Sequence, residues 1–477
     1  MKEYKVWKDA RSWLFVKACV LIFLCFLGLQ TIAQNKKNKA IYSGIPWFDD
    51  KGNTVSAHGA CIIKDKDQFY LFGEAHDDST NAFAGFNCYS SIDLYNWKFE
   101  SIALTVQDSG KLSANTVGER PKVMKCPGTG EYIMYMLADN MQYKEQYVGY
   151  ATANSITGPY TFKGPLLFNG KMIKKWDMGT FQDDDGNGYI LLHGADIYKL
   201  NNDYKSIAEQ THKATEKGFE APTLFKKDSV YYFIGSDLTG WERNDNYYLT
   251  ATSLKGPWLK TGYLTPKETL TWNSQTTFVL PIQGSATTTY MFMGDRWSFP
   301  KQKSAATYVW QPLTIDGYNL SIPNYLAAWK INVATGVVSS SILKANMISL
   351  EDNKISFKGN WQHDSLGVQS SNEKGAFFSL TVKGNQFGVH ALSQPNGGYA
   401  LITIKNKKGK VVVSSAVDMY CKYAVKELKF LTPVLPKATY TITVEVLGEH
   451  WYWKEKSGRL SGSLGNIVAI DKLLIGE

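Results

Sequence analysis

Three carboxylates in this chain each stand directly ahead of a short strand-like run: Glu119 in "ERPKVM", Asp177 in "DMGTFQ" and Glu220 in "EAPTLF". His58 in "HGACII" and Gln275 in "QTTFVL" hold the same place in two further segments. Carboxyl groups gathered in one partly desolvated place do not titrate alike, because burial and like charge raise the pKa of some and leave others ionised. Such a set can divide general acid and general base work among its members. Gathering them is costly unless a cation or a proton joins them. Something must bring five residues so distant in sequence to one point.

A repeat does this. Each of the five segments runs from a polar residue through a small or proline step into an apolar strand, a Gly/Asp/Lys turn and an aromatic strand. From the leading residue to the tyrosine of the second strand the spacing is 12 for His58–Tyr70, Asp177–Tyr189 and Glu220–Tyr232, 13 for Glu119–Tyr132 and 15 for Gln275–Tyr290. Pro222, which has no N–H to give a ladder, suits a strand start or an edge. Outer-strand material recurs as "CYSSIDLYNWKF", "ATANSITGPYTF" and "ATSLKGPWLK". Units of roughly 40 to 60 residues match four-stranded propeller blades. The repeat therefore predicts a five-bladed β-propeller over residues 34–340. The first strand of each blade lines the axis, so the leading residues meet at the mouth of the channel.

From about Val338 the pattern becomes alternating strands, "GAFFSLTVKGNQFGVHAL", "GGYALITIKNKKGKVVVSS" and "ATYTITVEVLG" among them. This predicts a jelly-roll-like β-sandwich over residues 341–477 and an all-β chain. Its "HWYWKEK" reads either as a carbohydrate-stacking platform, since aromatic faces pack on sugar rings, or as Trp451 and Trp453 packing against the propeller, and packing in a supporting role is the favoured reading.

Composition agrees: aromatics are 14% of the chain, with 28 tyrosines and 40 glycines, a balance of short strands and turns. Residues 1–33 read as a signal peptide, a basic start followed by an apolar run and small Ala33 ahead of Gln34. This places the protein in the periplasm or outside the cell, with no membrane span once the signal is cleaved. The segment holds Lys2, Lys5, Lys8, Arg11 and Lys17 against Glu3 and Asp9, so its removal takes the net charge from +9 to +6. The remaining lysines are scattered through turns, which argues against a nucleic-acid groove. Cys61, Cys88, Cys126 and Cys421 match no zinc spacing and leave one disulfide or buried thiols open. No metal or cofactor motif stands out, and the expected state is a monomer.

Between Tyr42 and Val338 the chain resembles glycoside hydrolase family 43, and within it the exo-β-1,3-galactanase branch. The resemblance is carried, in order, by "AHGACIIK", "CYSSIDLYNWKF", "ERPKVM", "WDMGTFQDDDG", "FEAPTLFK", "DLTGW", "WNSQTTFVLPI", "YMFMGDRW" and "YVWQPL". It implies a five-bladed propeller that removes a terminal sugar from a plant-type polysaccharide or oligosaccharide with inversion. Glu220 matches the general acid, and Asp177 the carboxylate that orients it and raises its pKa. Glu119, Arg120, Glu74, Asp295, Arg296 and Trp297 match sugar-binding residues, and His58, Thr239 and Trp241 are further candidate substrate-binding residues. Most of the family carries an aspartate base near His58–Gly59, where this chain has no carboxylate. The galactanase branch shares that absence, and there a glutamine on the fifth blade, matched by Gln275, is thought to help hold the attacking water. The branch usually reads "SRDMT" and "REAP"; here Trp176 and Phe219 replace the two arginines.

Glu220, beside Asp177 in an aromatic pocket, should have a raised pKa. Gln275 is a poor proton acceptor, so it either orients water or leaves the base role to Glu119. Trp241, Trp272 and Trp297 either floor a sugar site or pack between blades. An α-L-arabinofuranosidase or β-xylosidase and a non-catalytic carbohydrate-binding propeller are the alternative readings.

Overall fold

The computed structural model describes residues 37–214, 218–455 and 458–476, so the signal segment lies outside the described residues. Four sheets are four-stranded antiparallel meanders: His58 to Leu104, Thr116 to Pro165, Met178 to His212 and Glu220 to Tyr263. The fifth, Gln275 to Pro312, has three strands. Each innermost strand packs on the next and the fifth on the first, which closes a five-bladed propeller.

The middle strands of the blades are largely apolar because they are buried on both faces, and the two-residue strand period sends alternate side chains into different layers. In the second blade Met134 and Met136 join Phe72 and Phe86 of the first blade. Their neighbours Ile133, Tyr135 and Leu137 join Ile190 and Leu192 of the third. Equivalent layers follow between blades three and four around Phe219 and Phe233, and between four and five around Ile234 and Phe292. The fifth and first blades meet at Met291, Trp310, Phe69 and Leu71. The start of the described chain completes the ring. Gly44 N–H donates to Tyr308 O at 2.7 Å, and Ser43 Oγ donates to Trp310 O at 2.8 Å beside the last strand of the fifth blade. Ile41–Tyr42 then pairs with Ala328–Asn332.

Lys122 is buried near the axis and spans blades. Its ammonium donates to the carbonyls of Gly59 and Ala60 and reaches Thr277 Oγ1. Burial pulls its pKa down to about 8.

The chain ends in a β-sandwich, two antiparallel sheets around Leu380, Val389, Ile402, Phe430, Ile442 and Ile470. It docks on the propeller through buried polar groups: Arg296 pairs with Glu427 at 3.1 Å, and Ser298 Oγ donates to Asp418 at 2.9 Å. Tyr420 OH donates to Glu242 at 2.8 Å. Cys61, Cys88, Cys126 and Cys421 are buried free thiols. Among the described residues no helix is long and apolar enough to cross a membrane.

Candidate active site

The innermost strands do not run regularly through their leading residues. The pairing slips between His58 and Cys61, Glu119 and Lys122, Glu220 and Thr223, and Thr276 and Phe278. A β-bulge re-aims a side chain and ends regular pairing, and here it recurs at the same end of four blades. Arg120 (φ 51°), Ala221 (φ 53°) and Asp177 (φ 39°) hold left-handed backbone that non-glycine residues seldom adopt. Such conformations persist where the surrounding structure determines them, and they concentrate at functional sites.

The result is one cavity of about 1000 Å³, whose propeller side is lined by Glu74, Glu119, Arg120, Asp177, Glu220 and Gln275. Arg120 is its hub. Its Nε donates to Asp177 Oδ1 at 2.7 Å, its second guanidinium N–H group to Gln275 Oε1 at 2.8 Å, and its backbone N–H to Glu74 Oε1 at 2.8 Å. The backbone N–H of Ala221, next to Glu220, donates to Asp177 Oδ2 at 2.7 Å. Asp177 is thereby fixed against the residue that follows the proposed acid.

Gln275 Oε1 also accepts from Trp297 Nε1 at 2.9 Å, while its Nε2 donates to Ser236 Oγ at 2.9 Å. Two donors converge on one end of the amide, which assigns that end as oxygen. Glu119 Oε1 accepts from Tyr143 OH at 2.8 Å and Asn81 Nδ2 at 3.0 Å. Burial, with Glu74 nearby, pushes the Glu119 carboxyl up to about 7 against those hydrogen bonds. Burial alone would lower the pKa of Arg120, yet Asp177, Glu74 and Glu119 hold its guanidinium above its ordinary value. The arginine is the cation that makes gathering these carboxylates tolerable.

The missing first-blade carboxylate has a steric reason. Gly59 has φ +60°, and a Cβ there would lie 2.2 Å from Glu74 Oε1. Glu74, tied to His76 Nε2 at 3.0 Å, fills the space a side chain at 59 would enter.

Thr239, Trp241 and Trp297 also line the cavity. Trp241 stands edge-on to Trp297 at 5.3 Å, and Arg120 lies 5.9 Å over the Trp297 ring. His58, Asp295 and Arg296 are not brought to the cavity wall. His58 Nδ1 and Gly59 N–H bind the Asp295 carboxylate at 3.0 and 3.1 Å, both side chains buried behind the floor. Arg296 points the other way, into the sandwich, because successive residues of a strand face opposite sides. Trp272 packs between blades, donating to Ile322 O at 3.1 Å. Of the two arginine replacements, Trp176 lines the cavity while Phe219 is wholly buried against Phe233 and Tyr247. Sequence reasoning missed Asn81 and Tyr143, which lie in the loops between the second and third strands of the first two blades, and missed Tyr420 and Lys422 of the sandwich; Trp453 to Glu455, in "HWYWKEK", line the wall as well. Among the described residues no group of three or more metal-type side chains could hold an ion.

Clustered carboxylates around an arginine, walled by tryptophans at the mouth of a propeller, define a site built for carbohydrate. The profile of "Glycosyl hydrolases family 43" matches residues 54–275. A crystal structure of an exo-β-1,3-galactanase from Phanerochaete chrysosporium, solved with galactose, is 28% identical with TM-score 0.66, covering 91% of this chain and 100% of that one. A structure from Bifidobacterium bifidum s17, provisionally named an exo-β-1,3-galactanase, is 36% identical with TM-score 0.56, over 59% of this chain and 95% of that one. A curated Bacillus subtilis relative, extracellular endo-α-(1→5)-L-arabinanase 2, is 23% identical over 50% of this chain; the chain spans 55% of that protein's length. The chain belongs to glycosyl hydrolase family 43.

Proposed function

We propose that the protein is an exported exo-acting glycoside hydrolase that releases terminal β-1,3-linked galactose, with inversion, from galactan or arabinogalactan side chains. Convergence of the leading residues of blades two to five, Glu119, Asp177, Glu220 and Gln275, on one cavity carries this reading. The similarity to a galactanase holding galactose supports the sugar. The basic-apolar start of the sequence and an extracellular curated relative support export. In this reading residues 34–340 are the catalytic propeller, residues 341–477 the sandwich, and the protein acts as a monomer.

Glu220 donates a proton to the leaving oxygen. Asp177 holds the backbone beside it, through Ala221, and is itself held by Arg120. Inversion places a water on the opposite face of the sugar, with roughly 6.5–9.5 Å between the two working groups. Gln275 faces that water with its remaining amide hydrogen, since its oxygen already accepts from Arg120 and Trp297. A donated hydrogen positions water but cannot take its proton. Glu119, with its pKa pushed to about 7, is the lining carboxylate suited to accept it.

Only the ionised form of Glu119 accepts a proton, so kcat/KM should rise with pH through a limb centred near 7. Glu119→Gln should abolish that limb with a loss of roughly 10²–10⁴ in rate, the usual share of general acid–base catalysis. A pH–rate profile flat from 6 to 8 in the unmodified protein would remove Glu119 as the base. Gln275→Ala should cut turnover while sugar affinity in calorimetry changes less, because the positioned water is lost before the contacts of Glu119 and Arg120. Unchanged turnover would take Gln275 out of the mechanism.

A product-release screen over terminal β-galactosides, α-arabinofuranosides and β-xylosides, with Glu220→Gln as blank, tests the substrate. Galactose release is expected. Release of arabinose or xylose instead would transfer the site to that sugar, and no release from any would leave a carbohydrate-binding propeller.

A further inference from the structure

The cavity is larger than the proposed reaction needs. At about 1000 Å³ it stands at the upper end of small-molecule sites, which span roughly 300–1000 Å³. One terminal hexose, of about a dozen heavy atoms, would occupy only the carboxylate end of such a site. Part of the cavity wall does not come from the propeller. It is the sandwich hairpin in which Tyr452–Lys454 pairs with Leu460–Gly462, and Trp453, Lys454, Glu455, Arg459 and Leu460 all line the cavity.

The hairpin is anchored. Trp451, its buried root, stacks on Tyr420 at 5.0 Å and 15°. Arg243 of the propeller lies 4.9 Å over the Trp451 ring and donates to the carbonyl of Trp297, the tryptophan that holds Gln275. Trp453 sits against Gly240, where φ is +62° and a Cβ would come within 3.1 Å of Trp453 Nε1. The propeller loop thus keeps a glycine where the sandwich tryptophan approaches. Beyond Trp453, Arg459 pairs with Glu455 at 2.8 Å across the two sides of the hairpin.

We infer that the sandwich hairpin forms the leaving-group half of the substrate site, with Trp453 as the platform for the sugar units beyond the scissile bond. The inference rests on the hydrolase reading above, because it needs a chain extending from the carboxylates toward the hairpin. An aromatic ring offers an apolar face to the C–H-rich side of a sugar, and the paired Glu455 and Arg459 offer hydrogen-bond partners to its hydroxyls. The sandwich then selects substrate length and linkage and is part of the site itself.

The test uses the whole chain carrying Glu220→Gln, so that bound sugars survive. Calorimetric affinities are measured for one, two and three units of the β-1,3-galactan, α-1,5-arabinan and β-1,4-xylan series. In the series that binds, affinity should rise about tenfold or more from one unit to three, as expected for added stacking. Adding Trp453→Ala should collapse that three-to-one ratio to within about twofold of unity. Arg459→Ala, at a largely exposed side chain where folding is not at stake, should reduce the ratio in part. Binding in the arabinan or xylan series alone would overturn the galactose assignment and leave the hairpin proposal to be scored in that series. Affinity flat from one to three units, or a ratio that survives both substitutions, would overturn the hairpin proposal. Binding in no series would overturn both.

Discussion

Glu220→Gln is expected to lower turnover on natural glycosides by roughly 10²–10⁴-fold, the share that a positioned general acid contributes. The amide keeps the size and hydrogen-bonding reach of the side chain but has no proton to give. The loss should be smaller on aryl glycosides with good leaving groups, whose departing oxygen needs little protonation. Comparing kcat/KM on an oligosaccharide and a nitrophenyl glycoside reads the difference directly. Equal losses on both would mean that Glu220 binds sugar or supports the fold, and the proton would need another donor.

Arg120→Met should have the largest effect on stability. The guanidinium touches Asp177 and Gln275, its backbone binds Glu74, and the residue is 6% exposed. Removing one partner of a buried pair costs about 3–5 kcal/mol, because the other charge is left uncompensated. Urea unfolding at pH 7 should show that loss. The gap to the unmodified protein should narrow as pH falls, since protonation removes the uncompensated carboxylate charge. Arg120→Lys should not restore activity: a single ammonium cannot reach two acceptors in the fixed fork that a guanidinium presents. A loss below about 1 kcal/mol would make this no more than a surface pair.

The five blades were legible because the fold repeats its plan, and the tyrosines used to measure the repeat sit where the ladder needs them, Tyr70 opposite Ile63 and Tyr232 opposite Phe225. The leading residues of blades two to five were legible for the same reason, whereas His58 is buried against Asp295 away from the cavity wall. What the repeat could not convey was which way neighbours face. "DRW" reads as one motif, yet Asp295 faces His58, Arg296 faces Glu427 and Trp297 faces the cavity, as strand alternation requires. Tyr143 and Asn81 escaped because they sit in the loops between the second and third strands of their blades, which share no recurring motif, and their link to Glu119 exists only in three dimensions. "HWYWKEK" admits both a packing and a sugar-platform reading: packing describes Trp451, while Trp453 both packs and lines the cavity. Two tryptophans two residues apart share a strand face, so periodicity alone does not separate them. The bulges that aim Glu119 and Glu220 leave only a faint trace, Gly59 in the first blade, since Arg120 and Ala221 adopt left-handed backbone without a glycine.

The most direct measurement of the central claim is proton NMR of β-1,3-galactotriose during the first turnovers, with the Glu220→Gln protein as blank. Free galactose should appear first, in its α form, alongside the shortened disaccharide. No galactose above the blank would contradict the substrate. Galactose released as the β anomer would contradict inversion, because it would require a covalent intermediate and a carboxylate roughly 5–5.5 Å from Glu220.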